Sequence, residues 1–379
     1  MRPVKGMQTA CFFWCARLEV ARSRHYALFH GSLGDGTATR GLETEMHMAS
    51  KSRGLTRRTL LSSVMALPSA LTLNTWAQSG SAYPNKPVSI IVPFTAGGSS
   101  DIGTRILAGE LSKILNASFV ADNVAGAGGA IGMQKLLRAA PDGYTFAYGG
   151  LSESLLIPMI NKAVNYKTED FVPVAMVGAA PVGIVTRPDF PANTIDEMIA
   201  LVKKSPGKYS IGSAGIGSFG HVMSEVIKER TGTFMVHIPY RGGAQIISDL
   251  ISGQIDFAVT TLATAAAMIS SKRVKVLGVS SKERVPLVKE VGTFGESQAL
   301  KGVDMLVWAA LFAPPGTPDA VVQKMNQAVL QVNALPSMKA LVLKLGSELP
   351  PSLSPAQTKD YLKAQRELYQ VAASRIQPE

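Results

Sequence analysis

The chain has 379 residues, of which 46% are hydrophobic and only 17% are charged. This balance predicts a folded protein with a large core and excludes an intrinsically disordered chain. The formal net charge is +11, and residues 1–77 contribute six of these charges through ten Lys and Arg against four Asp and Glu. The remainder is mildly basic and has no cluster of Lys and Arg, so we expect no nucleic-acid partner.

Residues 46–77 have the features of an export signal. Basic residues at positions 51–58 precede an uncharged apolar stretch that is interrupted by Pro68 and is too short for a stable membrane span. We expect cleavage near Ala77 and export to the periplasm, by either the twin-arginine or the general secretory route. Residues 1–45 show no periodicity and are interpreted as an over-extended start or an unstructured extension.

From Tyr83 onward, short apolar strands alternate with amphipathic helices. The strand Val88–Phe94 precedes a helix over 102–115 whose apolar residues recur at helical spacing, and the alternation continues to a strand at 308–313. This order predicts an α/β fold with mostly parallel sheets and helices on both faces. Such folds bind ligands beyond the carboxyl ends of their strands, where loops lead into helices.

Three glycine-rich loops follow predicted strands and lead into helices, at 94–101, 123–129 and 212–218. Glycine lets the backbone approach a ligand closely, and a helix N-terminus offers unpaired N–H groups and a partial positive charge. One such loop is as easily an ordinary turn, but three in one chain favour a binding site. The loops therefore predict an anion site that needs no Arg or Lys.

The segment Gly215–Gly220 also fits the G-x-G-x-x-G pattern of dinucleotide loops, and Arg241 could meet the 2′-phosphate of NADP. An exported NADP-dependent oxidoreductase is therefore the alternative to a binding protein. Beyond residue 77 the sequence has no Cys, no serine-hydrolase or phosphate-loop motif, and two His, His221 and His237. We accordingly expect no enzyme activity, no metal site and no cofactor.

Several short blocks, each weak by itself, point together to one family. They are Tyr83–Pro87, Ile91–Asp101, Asn123 with Gly126–Gly129, Pro141–Tyr144, Ser213–Gly215 with His221, Pro239–Gly242, Gly253–Asp256, Leu277–Val279, Trp308 and Ala313–Pro318. Jointly they resemble the Bug-type extracytoplasmic receptors of tripartite tricarboxylate transporters. The resemblance runs from about Tyr83 to the C-terminus. It implies a two-lobed periplasmic binding protein, of the type II-like Venus-flytrap class with two crossover strands.

The same resemblance implies a small organic carboxylate as ligand, delivered to transporter membrane subunits or used by a sensor protein. Apolar segments at 177–185 and 305–312 are the predicted crossovers. They divide the chain into lobe 1, residues 82–181 and 305–379, and lobe 2, residues 182–304. We expect the receptor to be a monomer.

The ligand-binding residues are predicted at the strand ends of both lobes. They are Phe94, Thr95, Ala96, Gly97, Gly98, Ser99, Gly128, Gly129, Ser152 and Glu153 in lobe 1, and Ser213, Ala214, Gly215, Ser218, His221, Tyr240, Arg241, Asp256 and Thr260 in lobe 2. In the resembling family, backbone amides of the glycine loops and ordered water hold the carboxylate. Val in place of Gly98 or Gly128 is therefore expected to abolish binding and to leave the fold intact.

Four of these residues have a second interpretation. His221 is also typical of a helix surface, and Asp256 of a structural position at the start of a strand. Glu153 is expected to point away from the ligand or to meet a ligand hydroxyl. Thr260 stands where the resembling family often has an acidic residue, which favours a plain carboxylate or a neutral aromatic acid over a ligand with an amino group.

Overall fold

The computed structural model of the protein describes residues 83–303 and 305–373. The predicted export signal, its cleavage near Ala77 and the interpretation of residues 1–45 lie outside the described residues and stay predictions. Within the described residues, no helix combines the length and the apolar composition that a membrane span requires.

The described chain alternates strands and helices, and the predicted α/β class is confirmed. The strands are β1 (Val88–Val92), β2 (Phe119–Asn123), β3 (Thr145–Gly150), β4 (Val172–Thr186), β5 (Ser210–Ser213), β6 (Val236–Pro239), β7 (Phe257–Thr261), β8 (Lys275–Val279) and β9 (Leu306–Ala313). The helices are α1 (Ser99–Leu115), α2 (Ala130–Leu137), α3 (Ile157–Ile160), α4 (Ile195–Lys204), α5 (Phe219–Thr231), α6 (Gly243–Ser252), α7 (Leu262–Ser270), α8 (Asp319–Ala334), α9 (Pro336–Lys344) and α10 (Pro355–Ala373). A π-helical turn, Ser152–Leu156, precedes α3.

Strand β4 links two sets of strands. Its first part pairs with β9, beyond which lie β3, β1 and β2, and its last part, Val182–Thr186, lies between β7 and β8, with β5 and β6 beyond β7. The pairs β1–β2, β1–β3, β5–β6 and β5–β7 are parallel, whereas β4 and β9 run antiparallel to their neighbours. The partners of β4 change at Pro181–Val182, and the division of the chain into two lobes stays a prediction.

The first set of strands is covered on both faces, which explains its continuous apolar sequence. In β1, Ile90 belongs to a buried cluster with residues of α1 and α8, whereas the adjacent Ile91 belongs to a cluster with residues of α2 and α10. Successive side chains of a strand point to opposite faces, so neighbouring residues enter different cores. The loops at the carboxyl ends of these strands are thereby held on a rigid support.

Candidate functional site

The loops that follow β1, β3, β5 and β7 meet at one cavity of about 180 Å³. Eight of the predicted site residues line this cavity: Phe94, Gly98, Ser99, Ser152, Glu153, Ala214, Ser218 and Thr260. Part of β4 (177–180) and Trp308 of β9 also contribute to the lining. The structure therefore brings together residues that lie up to 254 positions apart in the sequence, from Phe94 to Glu348.

Four helices begin at the cavity. Residues of the first turn or N-cap of α1, α5, α6 and α7 all line it: Ser99 and Ser100, Ser218, Phe219 and Gly220, Gly243, and Thr261, Ala263 and Thr264. The first N–H groups of a helix have no intrahelical acceptor, and the macrodipole places a partial positive charge there. The arrangement can hold an anion through backbone groups alone.

The charged side chains of the lining are acidic. Among the described residues, the lining contains Glu153 and Glu348 and no Lys, Arg or His. A second part of the lining is apolar and comes from α1, β4 and α9, where Met338, Leu341 and Leu345 contribute. Any ligand charge must therefore be met by backbone dipoles or by the two glutamates.

Two hydrogen bonds cross the cavity between the strand sets. The N–H of Ser99 donates to Oγ1 of Thr264 at 3.1 Å, and the N–H of Phe219 donates to Oγ of Ser152 at 2.9 Å. The N–H of Gly98, at the N-cap of α1, has no acceptor among the described residues. The arrangement closes over the cavity and leaves Gly98 as a donor for a ligand.

Asp101 fixes the shape of the loop between β1 and α1. Its buried carboxylate accepts hydrogen bonds from the N–H of Gly97 at 2.9 Å, from Nδ2 of Asn123 at 3.0 Å and from Nε of Arg105 at 3.1 Å. The amide of Asn123 also donates to the carbonyl of Phe94. Asp101 is the third residue of α1 and pairs with Arg105, four positions later in the same helix, whereas Gly98 is the N-cap.

Burial alone would raise the pKa of Asp101, but the hydrogen bonds from Arg105, Gly97 and Asn123 outweigh it and hold this pKa below its ordinary value. We expect Asp101→Asn to lower the free energy of unfolding at pH 7 by about 2 kcal/mol, because the amide cannot accept from all three donors. A carboxyl group whose pKa is lowered by folding stabilises the native state at pH values above its pKa in the unfolded chain. This stabilisation is lost as the pH falls through the pKa of the group in the folded protein.

Urea unfolding of Asp101→Asn and wild type at pH 7 and pH 3 tests this expectation. The difference between the two proteins should shrink in acid. Asp189→Asn is the control, since Asp189 is exposed and its ion pair with Arg187 should contribute less than about 1 kcal/mol. Equal stability of Asp101→Asn and wild type at pH 7 would show that the loop does not depend on this carboxylate.

Glu153 is a buried carboxyl group at the cavity. Its side chain turns back so that Oε1 accepts the N–H of Gly150. Burial raises the pKa of Glu153 to about 7, although the backbone N–H groups of Gly150 and Glu153 lower it in part. The hydroxyl of Tyr166 donates to the backbone carbonyl of Glu153 at 2.6 Å, which holds the turn in place.

The second glycine loop lies beside the cavity and packs against the third. A Cβ on Gly215 would lie 3.1 Å from Cα of Gly128, and a Cβ on Gly129 would lie 2.7 Å from Cβ of Glu153. Gly128 and Gly129 have positive φ angles, so both positions favour glycine. These glycines are not part of the lining; they allow two backbones and Glu153 to approach closely.

In the first loop, Ala96 and Gly97 are exposed, and Oγ1 of Thr95 is buried without a hydrogen-bond partner among the described residues. Thr95 contacts the backbone at Gly242, where a Cβ would lie 2.2 Å from its hydroxyl. These three residues shape the turn ahead of Gly98 and do not line the cavity.

Ser213, His221 and His237 form a buried cluster beneath the loop after β5. The Oγ of Ser213 lies 2.7 Å from Nε2 of His237, the two imidazoles stack at 4.1 Å, and Nδ1 of His221 accepts the N–H of Gly217. Burial, followed by the charges of His221 and Lys228, lowers the pKa of His237 to about 4. The helix-surface interpretation of His221 is wrong, and its role is to support the loop.

Asp256 lies at the opposite ends of the strands from the cavity. Its carboxylate accepts from the N–H and the hydroxyl of Ser210 at 2.9 and 3.2 Å and contacts Arg187 at 3.4 Å. A strand that ends at the cavity must begin away from it, so the residue that precedes β7 cannot reach the ligand. The structural interpretation of Asp256 therefore replaces its prediction as a ligand-binding residue.

Tyr240 and Arg241 directly follow β6 and do not line the cavity. The hydroxyl of Tyr240 donates to Asp249 at 2.8 Å, and burial, together with this hydrogen bond, raises the pKa of the phenol to about 12. Arg241 is exposed. The dinucleotide interpretation finds no support here, because Arg241 does not line the cavity and a Cβ on Gly215 would lie 3.1 Å from Cα of Gly128.

Helix α7 was not predicted from the sequence, and Thr264 was therefore not among the predicted site residues. The signal was present, because Thr261 directly precedes an Ala-rich run, and a Thr in this position is typical of a helix N-cap. Gly243 at the start of α6 was missed as well. Tyr148 and Trp308 also line the cavity, but nothing in their local sequence distinguishes them from core residues.

The profile of the family described as tripartite tricarboxylate transporter family receptor matches residues 104–367. The chain belongs to this family. A UPF0065 protein of Bordetella pertussis is 36% identical to the receptor over 266 residues, which are 70% of this chain and 82% of the relative. The predicted resemblance is thereby confirmed.

Solved structures agree with the family. The periplasmic binding protein BugD superposes on the receptor with a TM-score of 0.73 at 34% identity, covering 76% of this chain and 98% of BugD. MatC from Rhodopseudomonas palustris, solved with bound malate, has a TM-score of 0.73 at 26% identity and covers 77% of this chain and all of MatC. The receptor therefore has the periplasmic-binding-protein fold that the sequence predicted.

Proposed function

We propose that the receptor captures a small organic carboxylate in the cavity and releases it unchanged. The observation that carries this proposal is the convergence of four helix N-termini on a cavity whose described lining has no cationic side chain. Backbone N–H groups at helix N-termini bind carboxylates without a counter-charge from Lys or Arg. Malate, the ligand of MatC, belongs to the same chemical class.

The proposed site differs from the sequence prediction in a few positions. It retains Phe94, Gly98, Ser99, Ser152, Glu153, Ala214, Ser218 and Thr260, and it adds Gly243 and Thr264. The remaining predicted residues support these loops from behind or lie away from the cavity. We place the site between lobe 1, residues 82–181 and 305–379, and lobe 2, residues 182–304, because β4 changes partners where these ranges meet.

We further propose that the receptor works as a monomer in the periplasm, exported by the signal at 46–77. Its family implies delivery of the ligand to transporter membrane subunits, and a role with a sensor protein is the second possibility. Enzyme activity is not part of the proposal. The Ser213–His237 pair resembles a nucleophile and its base, but Nδ1 of His237 has no partner in the described chain to orient it, and neither residue lines the cavity.

A thermal-shift screen followed by calorimetry tests the proposed function. A ligand that binds the native state alone raises the melting temperature with its concentration. We expect stabilisation by small carboxylates and none by their amides, which have the same shape without the charge. NADP should have no effect. Tight binding of NADP, or no response to any carboxylate of two to eight carbons, would contradict the proposal.

A further inference from the structure

Glu153 places an acceptor at the cavity that a carboxylate site does not need. Its side chain is 1% exposed, and its Oε1 is held by the N–H of Gly150. The hydrogen bonds to this carboxyl group come from backbone N–H groups, those of Gly150 and of Glu153 itself, and Glu153 lines the cavity. An anionic ligand would therefore be enclosed together with a second carboxyl group.

The charges of the lining decide what ligand this arrangement suits. The described lining has no Lys, Arg or His that could neutralise Glu153. The groups that face Glu153 from the neighbouring elements are the phenols of Tyr148 and Tyr166, whose pKa values burial raises further. A cation must therefore come from the ligand if Glu153 is ionised when the cavity is closed.

We propose that Glu153 makes the receptor selective for amino-carboxylates, whose carboxylate meets the helix N-termini and whose ammonium group pairs with Oε2 of Glu153. This inference rests on the proposed function and narrows its ligand class. A dicarboxylate would place a second negative charge beside Glu153 in a closed cavity. A zwitterion instead matches both charges of the site. Its carboxylate meets the partial positive charge of the helix ends, and its ammonium group meets the negative charge of Glu153.

The proposal changes the expectation from the sequence, which favoured a plain carboxylate because Thr260 is not acidic. Thr260 does line the cavity, and its side chain is neutral there. The acidic group is supplied instead by the turn after β3. Burial of Glu153 could not be read from the sequence, where a glutamate in a loop is typical of an exposed residue.

Calorimetry with three matched ligand series at pH 7.5 tests the inference. The series are ω-amino acids, ω-hydroxy acids and dicarboxylates of three to six carbons, with 4-aminobutanoate, 4-hydroxybutanoate and succinate as one matched set. We expect a member of the amino series to bind at least about 30-fold more tightly than its dicarboxylate partner, as for a buried charge pair against a buried charge clash. Binding of the dicarboxylates in preference overturns the inference and leaves the proposed function standing.

Glu153→Gln removes the negative charge of this side chain and keeps its shape. Gln is nearly isosteric and its Oε1 can still accept the N–H of Gly150, so we expect amino-carboxylate affinity to fall by about 30-fold or more and dicarboxylate affinity to rise. Glu169→Gln removes an exposed glutamate of the same sign and should leave the preference unchanged. The same loss in both variants would mean that the effect comes from net charge and would overturn the assignment to Glu153.

The pH dependence of ligand affinity in the wild type tests the inference even if Glu153→Gln does not fold. Amino-carboxylate affinity should fall between pH 8 and pH 5.5, because Glu153 becomes neutral, whereas dicarboxylate affinity should rise. The opposite trends would show that an ionised Glu153 does not favour an ammonium group in the ligand and would overturn the inference. Failure of all three series to bind would instead contradict the proposed function itself.

Discussion

Replacing Gly98 with Val is expected to weaken carboxylate binding by about 100-fold. Gly98 is the N-cap of α1, and its N–H has no acceptor in the described chain. A valine side chain would project into the cavity and keep a carboxylate from the first amides of the helix. Loss of two charge-assisted hydrogen bonds at about 1.5 kcal/mol each corresponds to that factor.

The same substitution should spare the fold. Gly98 has φ −80° and ψ 171°, which any residue adopts, and a Cβ would lie 3.7 Å from its nearest neighbours, in ordinary contact. The cost at the N-cap should be about 1 kcal/mol. Gly109→Val is the matched control, because Gly109 lies in the same helix with open space around it. Calorimetry measures the carboxylate affinity of both variants, and only Gly98→Val should bind more weakly. Unchanged carboxylate affinity of Gly98→Val would show that the binding site lies elsewhere.

Gly128 does not offer an equally clean test, and the expectation that Val leaves the fold intact there is wrong. Gly128 has φ +64°, and a Cβ would lie 2.5 Å from Cδ1 of Ile157 and 3.2 Å from the carbonyl of Ile216. A branched side chain is strained in this backbone region. Loss of binding in Gly128→Val would therefore report a displaced loop and not a blocked ligand.

Glu153→Gln is expected to stabilise the ligand-free receptor by about 3 kcal/mol at pH 8.5. The fold raises the pKa of Glu153 from 4.5 to about 7, and each unit corresponds to about 1.4 kcal/mol. The native state therefore holds this proton more tightly than the unfolded state. The wild type loses the corresponding stability as the pH rises from about 4.5 through 7, and Gln at position 153 cannot lose it.

Urea unfolding of wild type and Glu153→Gln from pH 4 to pH 8.5 measures this effect. The two proteins should be closely matched near pH 4, where Glu153 is neutral in both the native and the unfolded state, and should diverge above pH 6. Glu169→Gln, on the surface, should show no such divergence. A Glu153→Gln receptor that is less stable than wild type at pH 8.5 would show that the fold favours the ionised carboxylate.

This expected gain in stability bears on function. A group that destabilises the empty receptor is retained where binding uses it. An ammonium group beside Oε2 would compensate the buried charge that the empty cavity leaves uncompensated. We therefore expect Glu153→Gln to raise the stability of the ligand-free receptor and to lower its affinity for amino-carboxylates.

Much of the architecture was determined by the sequence alone. Apolar periodicity located most strands and helices to within a few residues, and Thr194, the N-cap of α4, accepts a hydrogen bond from the N–H of Glu197. The loops at 94–101 and 212–218 were both predicted to reach one cleft from their position after strands, and residues of both loops line the cavity. These features are local, because the periodicity of side chains and the capping of helices depend on neighbours in the chain.

The tertiary structure alone decided which groups face the ligand. Asp256 lies at the wrong end of its strand, Gly128 supports a neighbouring loop, and Thr264 reaches across to the N–H of Ser99. Glu153 becomes a buried carboxyl group because the turn after β3 folds it back on Gly150. These outcomes depend on the order of the strands and on the change of partners along β4, which bring together residues distant in sequence, and no local pattern encodes that order.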